Sequence, residues 1–158
     1  VEGCAGLSRL GRFDDHESLD ECYLVAEEAS HKVDLYAYIS TFDYLKKSGR
    51  VTAVKAFAAN ALSIKPVFRF KGSEAVLASK KRSTSKARDY IAYQVERHYR
   101  RTGLTQISVF HAAAPDEARD LTDMILQRIE IEDDILQTEF TPVMGCHTGP
   151  GVVGAAFL

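Results

Sequence analysis

The chain has 158 residues, of which 46% are hydrophobic and 27% charged, with a formal net charge of −2 at pH 7. That length suffices for one domain with a real core. The charge balance gives no support to a nucleic-acid partner or an anionic membrane surface, and no apolar run approaches the ~20 residues of a membrane-spanning helix.

The amino end, Val1-Glu2-Gly3-Cys4, shows no basic segment followed by an apolar stretch, so no secretory signal is expected there. It also lacks an initiator Met, which fits a trimmed or fragmentary chain. Residues 3–12 read as a short helix ending near Gly11. Residues 17–31 carry Leu19, Cys22, Tyr23 and Ala26 at helical spacing, and Ser18 followed by Glu21 has the form of a capping box. Residues 33–39 alternate and are rich in branched and aromatic side chains, which predicts a strand. A short helix is expected over 41–47, capped by Thr41 and stopped at Ser48-Gly49.

The next predicted helix, over 52–62, is apolar on several sides, with Val54, Phe57, Ala58, Ala61 and Leu62. Such a helix needs apolar partners on more than one face. Residues 63–70 read as a strand that Pro66 restricts to an edge, a strand start or a bulge. A turn at 71–73 returns the chain as a partner strand over 74–79. Residues 86–101 form an amphipathic helix with Ala87, Tyr90, Ile91, Gln94, Val95 and His98 at its period. Further along, 106–112 predicts a strand and 115–129 a helix with Pro115 in its first turn. A strand over 136–145, a loop over 146–151 and a last strand over 152–158 complete the order. These elements give an α/β fold with a mixed, partly antiparallel sheet packed with helices.

Three features could carry chemistry. His147-Thr148-Gly149-Pro150-Gly151 follows a predicted strand; two glycines admit a close approach of backbone to ligand, and the histidine could donate to an oxyanion. A Gly-Pro-Gly turn with an incidental histidine is the alternative. Arg50 falls near the amino end of the 52–62 helix, where a guanidinium would add a bidentate contact to a carboxylate or phosphate. An ordinary surface arginine fits the same spacing. Lys80-Lys81-Arg82 opens a basic series continued by Lys86, Arg88, Arg97, Arg100 and Arg101, expected mostly on a solvated helix face.

Other groups read as inert. His111 is expected to pack or cap, and His16, His31 and His98 have no partner at ligand spacing. Cys4, Cys22 and Cys146 form no CxxC pair and are odd in number, so neither a metal site nor a disulfide framework is expected, and a reducing cytoplasm is the simplest compartment. Cys146 is read as a small, semi-buried residue in a tight turn. The acidic stretch at Glu130, Glu132, Asp133 and Asp134 is expected to face water. No Walker loop, GxSxG elbow or HExxH is present, so no catalytic residue is assigned.

Taken in series, four segments resemble the DegV family. Thr41-Phe42-Asp43-Tyr44-Leu45-Lys46-Lys47-Ser48-Gly49-Arg50-Val51 is similar to its LxYLKKGGRI stretch, with Ser48 where the family has Gly. Leu62-Ser63-Ile64-Lys65-Pro66-Val67 is similar to its L-x-I-K-P motif, Lys80-Lys81-Arg82 follows, and His147-Thr148-Gly149-Pro150-Gly151 is similar to its H-x-GPG.

The resemblance implies a two-lobed α/β fold. Residues 1–32 would be a helical remnant of the amino-terminal lobe and 33–158 the carboxy-terminal lobe. It implies a bacterial, cytoplasmic carrier with no enzymatic activity of its own. Such a carrier buries a long-chain fatty acid between lobes and presents it to a separate fatty acid kinase subunit. On that reading Arg50, His147, Thr148 and Gly149 surround the carboxylate, Phe57, Ala61, Leu62 and Ile64 line the acyl tail, and Arg82 docks the kinase. The fatty acid is ligand rather than cofactor; no metal, nucleic acid or membrane insertion is implied. The alternative is a regulatory or phosphate-handling module using His147.

Overall fold

A computed structural model describes residues 18–48, 64–71, 74–103, 106–131 and 134–158. The helices expected over 3–12 and 52–62 lie outside the described residues, as do Cys4, His16, Gly72-Ser73 and Glu132-Asp133.

Helix α1 spans Leu19–Lys32, and the capping box forms: the Ser18 N–H donates to Glu21 Oε2 at 2.7 Å, while the Glu21 N–H donates to Ser18 Oγ at 3.4 Å. Two orphan donors of the first turn are thereby satisfied. No residue of α1 is buried, and Leu19, Tyr23 and Leu24 are 81%, 64% and 61% exposed. Strand β1 (Asp34–Tyr38) leads into the one-turn helix α2 (Asp43–Lys47). Thr41 Oγ1 accepts from the Asp43 N–H at 3.2 Å, so the hydroxyl acts one residue outside the helix.

Strands β2 (Lys65–Lys71) and β3 (Glu74–Lys81) form an antiparallel pair, followed by α3 (Thr84–Thr102). Ser83 caps α3 by accepting from the Lys86 N–H, and Gly103, at φ +73°, closes its other end. Strand β4 (Ile107–Ala112), helix α4 (Pro115–Leu126), strand β5 (Leu136–Glu139), helix α5 (Pro142–Thr148) and strand β6 (Val152–Phe157) complete the order. His111 caps as expected, Nδ1 accepting from the Ala114 N–H at 3.4 Å just ahead of α4.

The strands make one six-stranded sheet, β3-β2-β1-β6-β4-β5. All neighbours run antiparallel except β4 and β5, which are parallel and joined through α4. A parallel pair requires such a crossover. Strand β2 is interior, so Pro66 is no edge marker. It stands second in the strand, one residue before a register shift between Val67 and Phe68. A strand start beside an irregularity tolerates a residue without an N–H.

Each sheet face has its own core. On one face Tyr36, Tyr38, Val67, Val109, Val153, Ala155 and Phe157 pack with Ala87, Ile91 and Val95 of α3 and Ala118, Leu121 and Ile125 of α4. On the other, Ala37, Ile39, Phe42, Phe68, Phe110, Ala112 and Val152 cluster, with Leu45 and Phe140 against them. The Phe110 and Phe140 rings stack at 4.7 Å. At about 25 cal/mol per Å² of apolar surface, these two clusters supply most of the drive for folding.

Four sequence expectations are corrected. The strand expected over 136–145 ends at Glu139, because Pro142 begins α5, where its fixed φ suits a first helical turn. Cys146 lies in that helix and is exposed, not semi-buried in a turn. Arg88 leaves the solvated basic face: it is 7% exposed and donates to Asp120 at 3.0 Å and to the Tyr38 hydroxyl at 3.4 Å. Burial pushes the Tyr38 phenol above its usual pKa, against the hydrogen bond from Arg88. The helix expected over 115–129 ends slightly early, at Leu126.

Candidate functional site

One end of the sheet gathers the segments that the sequence singles out. Strand β1 runs into Ser40, Thr41 and α2; α5 runs through Gly149-Pro150-Gly151 into β6; and β2 begins at Lys65. Helices α2 and α5 pack against each other there.

Two glycines make this junction. Gly149 ends α5 at φ +77° and its N–H donates to the Gly145 carbonyl at 2.8 Å. A Cβ at this position would lie 2.8 Å from Tyr44 Cγ and 3.0 Å from Cε2, so the Tyr44 ring rests directly on the Gly149 backbone. Gly151, at φ +81°, would place a Cβ 2.6 Å from Ser40 Oγ. Its N–H donates to the Ala112 carbonyl at 2.7 Å, and its carbonyl accepts from Ser40 Oγ at 2.6 Å. Lys65 Nζ donates to the Ser40 carbonyl at 2.8 Å. Four chain segments therefore meet in a bonded row.

His147 sits in the last turn of α5, not in a loop, and is half-buried. Its Nδ1 is shielded from solvent and has no hydrogen-bond partner among the described residues. A buried ring nitrogen without a partner costs about 1–3 kcal/mol, and groups of this kind call for a specific explanation. Thr148 Oγ1 donates to the Met144 carbonyl at 2.9 Å, so its proton serves its own helix. Gly149 contributes close approach rather than a free donor, since its N–H is already bonded within α5.

The remaining expected residues divide sharply. Arg50, Phe57, Ala61 and Leu62 lie outside the described residues. Ile64 is half-buried immediately before β2. Arg82 is exposed in the turn between β3 and α3. Among the described residues no group of His, Cys, Asp or Glu is placed to hold a metal ion, and no helix is long and apolar enough to cross a membrane. His98, which has no partner at ligand spacing in sequence, lies with Nδ1 3.4 Å from Asp34 Oδ2, and Asp34 also holds Arg69. This cluster belongs to the far end of β1, away from His147. Sequence reasoning missed Lys65, Tyr44 and Ser40; the lysine was visible inside the I-K-P stretch and the tyrosine inside the LxYLKKGGRI-like stretch, but nothing in the sequence marked Ser40.

The family model for "Uncharacterised protein, DegV family" matches residues 12–158. A DegV domain-containing protein of Streptomyces coelicolor is 36% identical over 139 residues, covering 87% of this chain and 48% of the relative. One from Clostridium acetobutylicum is 30% identical over 155 residues, covering 98% and 54%. The chain thus spans about half the length of the curated relatives it matches.

Among solved structures, a DegV family protein of Corynebacterium glutamicum superposes with a TM-score of 0.80 at 25% identity, over 91% of this chain and 54% of that one. The fatty acid binding DegV family protein of Streptococcus agalactiae gives 0.76 at 26% identity, over 99% and 53%. The six-stranded mixed sheet with its helices is the fold of these proteins, and over 147 residues of matched family model this chain belongs to the DegV family.

Proposed function

We propose that this chain is the carboxy-terminal lobe of a long-chain fatty acid carrier, with residues 1–32 the end of its amino-terminal lobe. The observation that carries the reading is His147 Nδ1, buried and without a partner among the described residues, beside the two close-approach glycines. A carboxylate oxygen is the kind of group that would complete it. Related chains of 25–26% identity support the ligand class: the Streptococcus agalactiae protein and a Thermus thermophilus DegV protein are both described as fatty acid binding.

The division of labour follows from transfer energies. Burying an acyl tail yields about 0.8 kcal/mol per CH₂, so a long tail supplies most of the affinity. An isolated buried carboxylate would be prohibitive, and the head group must be paired. His147 supplies one partner and Arg50 a second, with Thr148 and Gly149 shaping the turn; Phe57, Ala61, Leu62 and Ile64 line the tail. The exposed apolar face of α1 supports its assignment to a second lobe, since Leu19, Tyr23 and Leu24 stand open to solvent here. The carrier performs no chemistry itself. It presents the acid to a separate kinase subunit that docks at the exposed Arg82. The three scattered cysteines fit a reducing cytoplasm.

Native mass spectrometry of gently purified protein tests the reading. A retained fatty acid is expected, and His147→Ala should release it. A protein that carries none, and that takes up none from solution, refutes the carrier. Arg82→Ala should keep the lipid while lowering acyl phosphate formation by the kinase; equal loss of both would overturn the docking role.

A further inference from the structure

The Lys65 side chain has a consequence that the head-group residues alone do not contain. Strand pairing sets Tyr38 opposite Val67 of β2 and opposite Val153 of β6. Continuing that register by two residues brings Ser40 level with Lys65 on one side and Gly151 on the other. The strand ladder has ended there, and side-chain bonds replace it: Lys65 Nζ to the Ser40 carbonyl at 2.8 Å, then Ser40 Oγ to the Gly151 carbonyl at 2.6 Å. The Gly151 N–H carries the row on to the Ala112 carbonyl at 2.7 Å.

Position 151 of the row requires glycine. A Cβ at position 151 would collide with Ser40 Oγ, and the φ of +81° excludes most side chains there. A carbonyl needs one donor, and a neutral group would satisfy it. Lysine brings an ammonium with three donors, and no carboxylate among the described residues pairs with it. The same row fixes where β6 begins, and therefore where the Gly149–Gly151 turn leaves α5 and how His147 is held.

We infer that Lys65 is the positioning residue of the head-group turn: through Ser40 it fixes Gly151, and it sets the preference of the site for an anionic over a neutral head group. The second half of this statement rests on the carrier reading; the first does not. Lys65→Met keeps the length of the side chain and removes every donor. Amide hydrogen exchange at Gly149 and Gly151, both hydrogen-bonded, should quicken about tenfold or more, as expected for loss of a bond from a charged donor. Exchange at Val109 and Ala155 in the core should not change. Lys65→Arg should restore protection.

If Lys65→Met instead loosens the whole sheet, Ser40→Ala removes the second bond of the row without touching the lysine, and the local pattern should appear there. Unchanged exchange at Gly151 in Lys65→Met, or uniform change in both variants, overturns the inference. For ligand, cis-parinaric acid and its methyl ester are the fluorescent probes. Lys65→Met should weaken the acid about tenfold and leave the ester as in the unaltered protein. Equal affinity for the acid in both proteins would sink the head-group preference while the carrier stands. A protein that binds neither probe would sink the carrier, and the exchange experiment would still decide the role of Lys65.

Discussion

Replacing Gly149 by alanine should damage this protein twice over, and the two contributions can be separated. The backbone at Gly149 has φ +77° and ψ 170°, a region essentially closed to residues with a Cβ. Adopting it costs about 1–3 kcal/mol. The new methyl would also press into the Tyr44 ring, 2.8 Å from Cγ, and overpacking of this kind costs another ~1–3 kcal/mol. The sum is about 2–6 kcal/mol. For a chain of this length each kcal/mol moves the melting temperature by roughly 2–4 °C, so a fall of at least ~4 °C is expected.

Circular dichroism during urea unfolding gives the free energies directly, with an unchanged slope as the check on two-state behaviour. Tyr44→Ala in the same background removes the steric share but not the backbone share, so the pair should show about 1–3 kcal/mol of favourable coupling. A Gly149→Ala protein that melts within about 1 °C of the original would mean that the turn is not held as described. Absence of coupling with Tyr44 would mean that the ring is not what occupies the space.

Further outcomes follow from other contacts. Gly154 lies under Phe110, and a Cβ there would come 2.5 Å from the Tyr36 carbonyl and 2.7 Å from Phe110 Cε2; Gly154→Ala should cost about 1–3 kcal/mol in urea unfolding, with Phe110→Leu giving little relief because the backbone carbonyl cannot retreat. Burial raises the Tyr38 phenol pKa, so the folded chain holds that proton more tightly than the unfolded one. Its contribution is present below the ordinary tyrosine value near about 10 and is lost as pH rises through the raised value. Melting temperatures between neutral and alkaline pH should therefore fall less for Tyr38→Phe than for the unaltered protein. Arg128 joins the end of α4 to α3, donating to Glu96 at 2.8 Å and Asp89 at 2.6 Å. Arg128→Lys should lose one of these two bonds and about 0.2–1 kcal/mol, visible as a small shift of the urea midpoint.

Much of the architecture could be read from residue order because its signals are local. The Ser18–Glu21 box, the alternation over 34–38 and the 3.6 period of α3 each report on a few neighbouring residues, and each forms. The α5 helix escaped notice because Leu136 to Phe140 begins an extended pattern, and the stretch 142–148 contains Val143, Gly145, Cys146 and Thr148, none a strong helix former. Only Pro142, suited to a first turn, argued for it. Arg88 went astray for a different reason: its sequence neighbours are charged, and what buries it are Tyr38 and Asp120, 50 and 32 positions away. The candidate site divides the same way. His147 and the glycines announced themselves as a motif, whereas Ser40 and Tyr44 owe their roles to strand register and ring placement. Both are long-range facts that no local pattern encodes.

The position of β6 in the sheet has a consequence for how the protein is made. Latest in sequence of the six strands, it lies between β1 and β4 and supplies the strand pairing that joins β3-β2-β1 on one side to β4-β5 on the other. A nascent chain lacking Val152–Phe157 holds two strand groups that have nothing to pair across. Neither sheet face can close its core, since Val152 belongs to one cluster and Val153, Ala155 and Phe157 to the other. Completion of the sheet on the ribosome then waits for this strand to emerge, and its arrival sets the Gly149–Gly151 turn and the central pairing together.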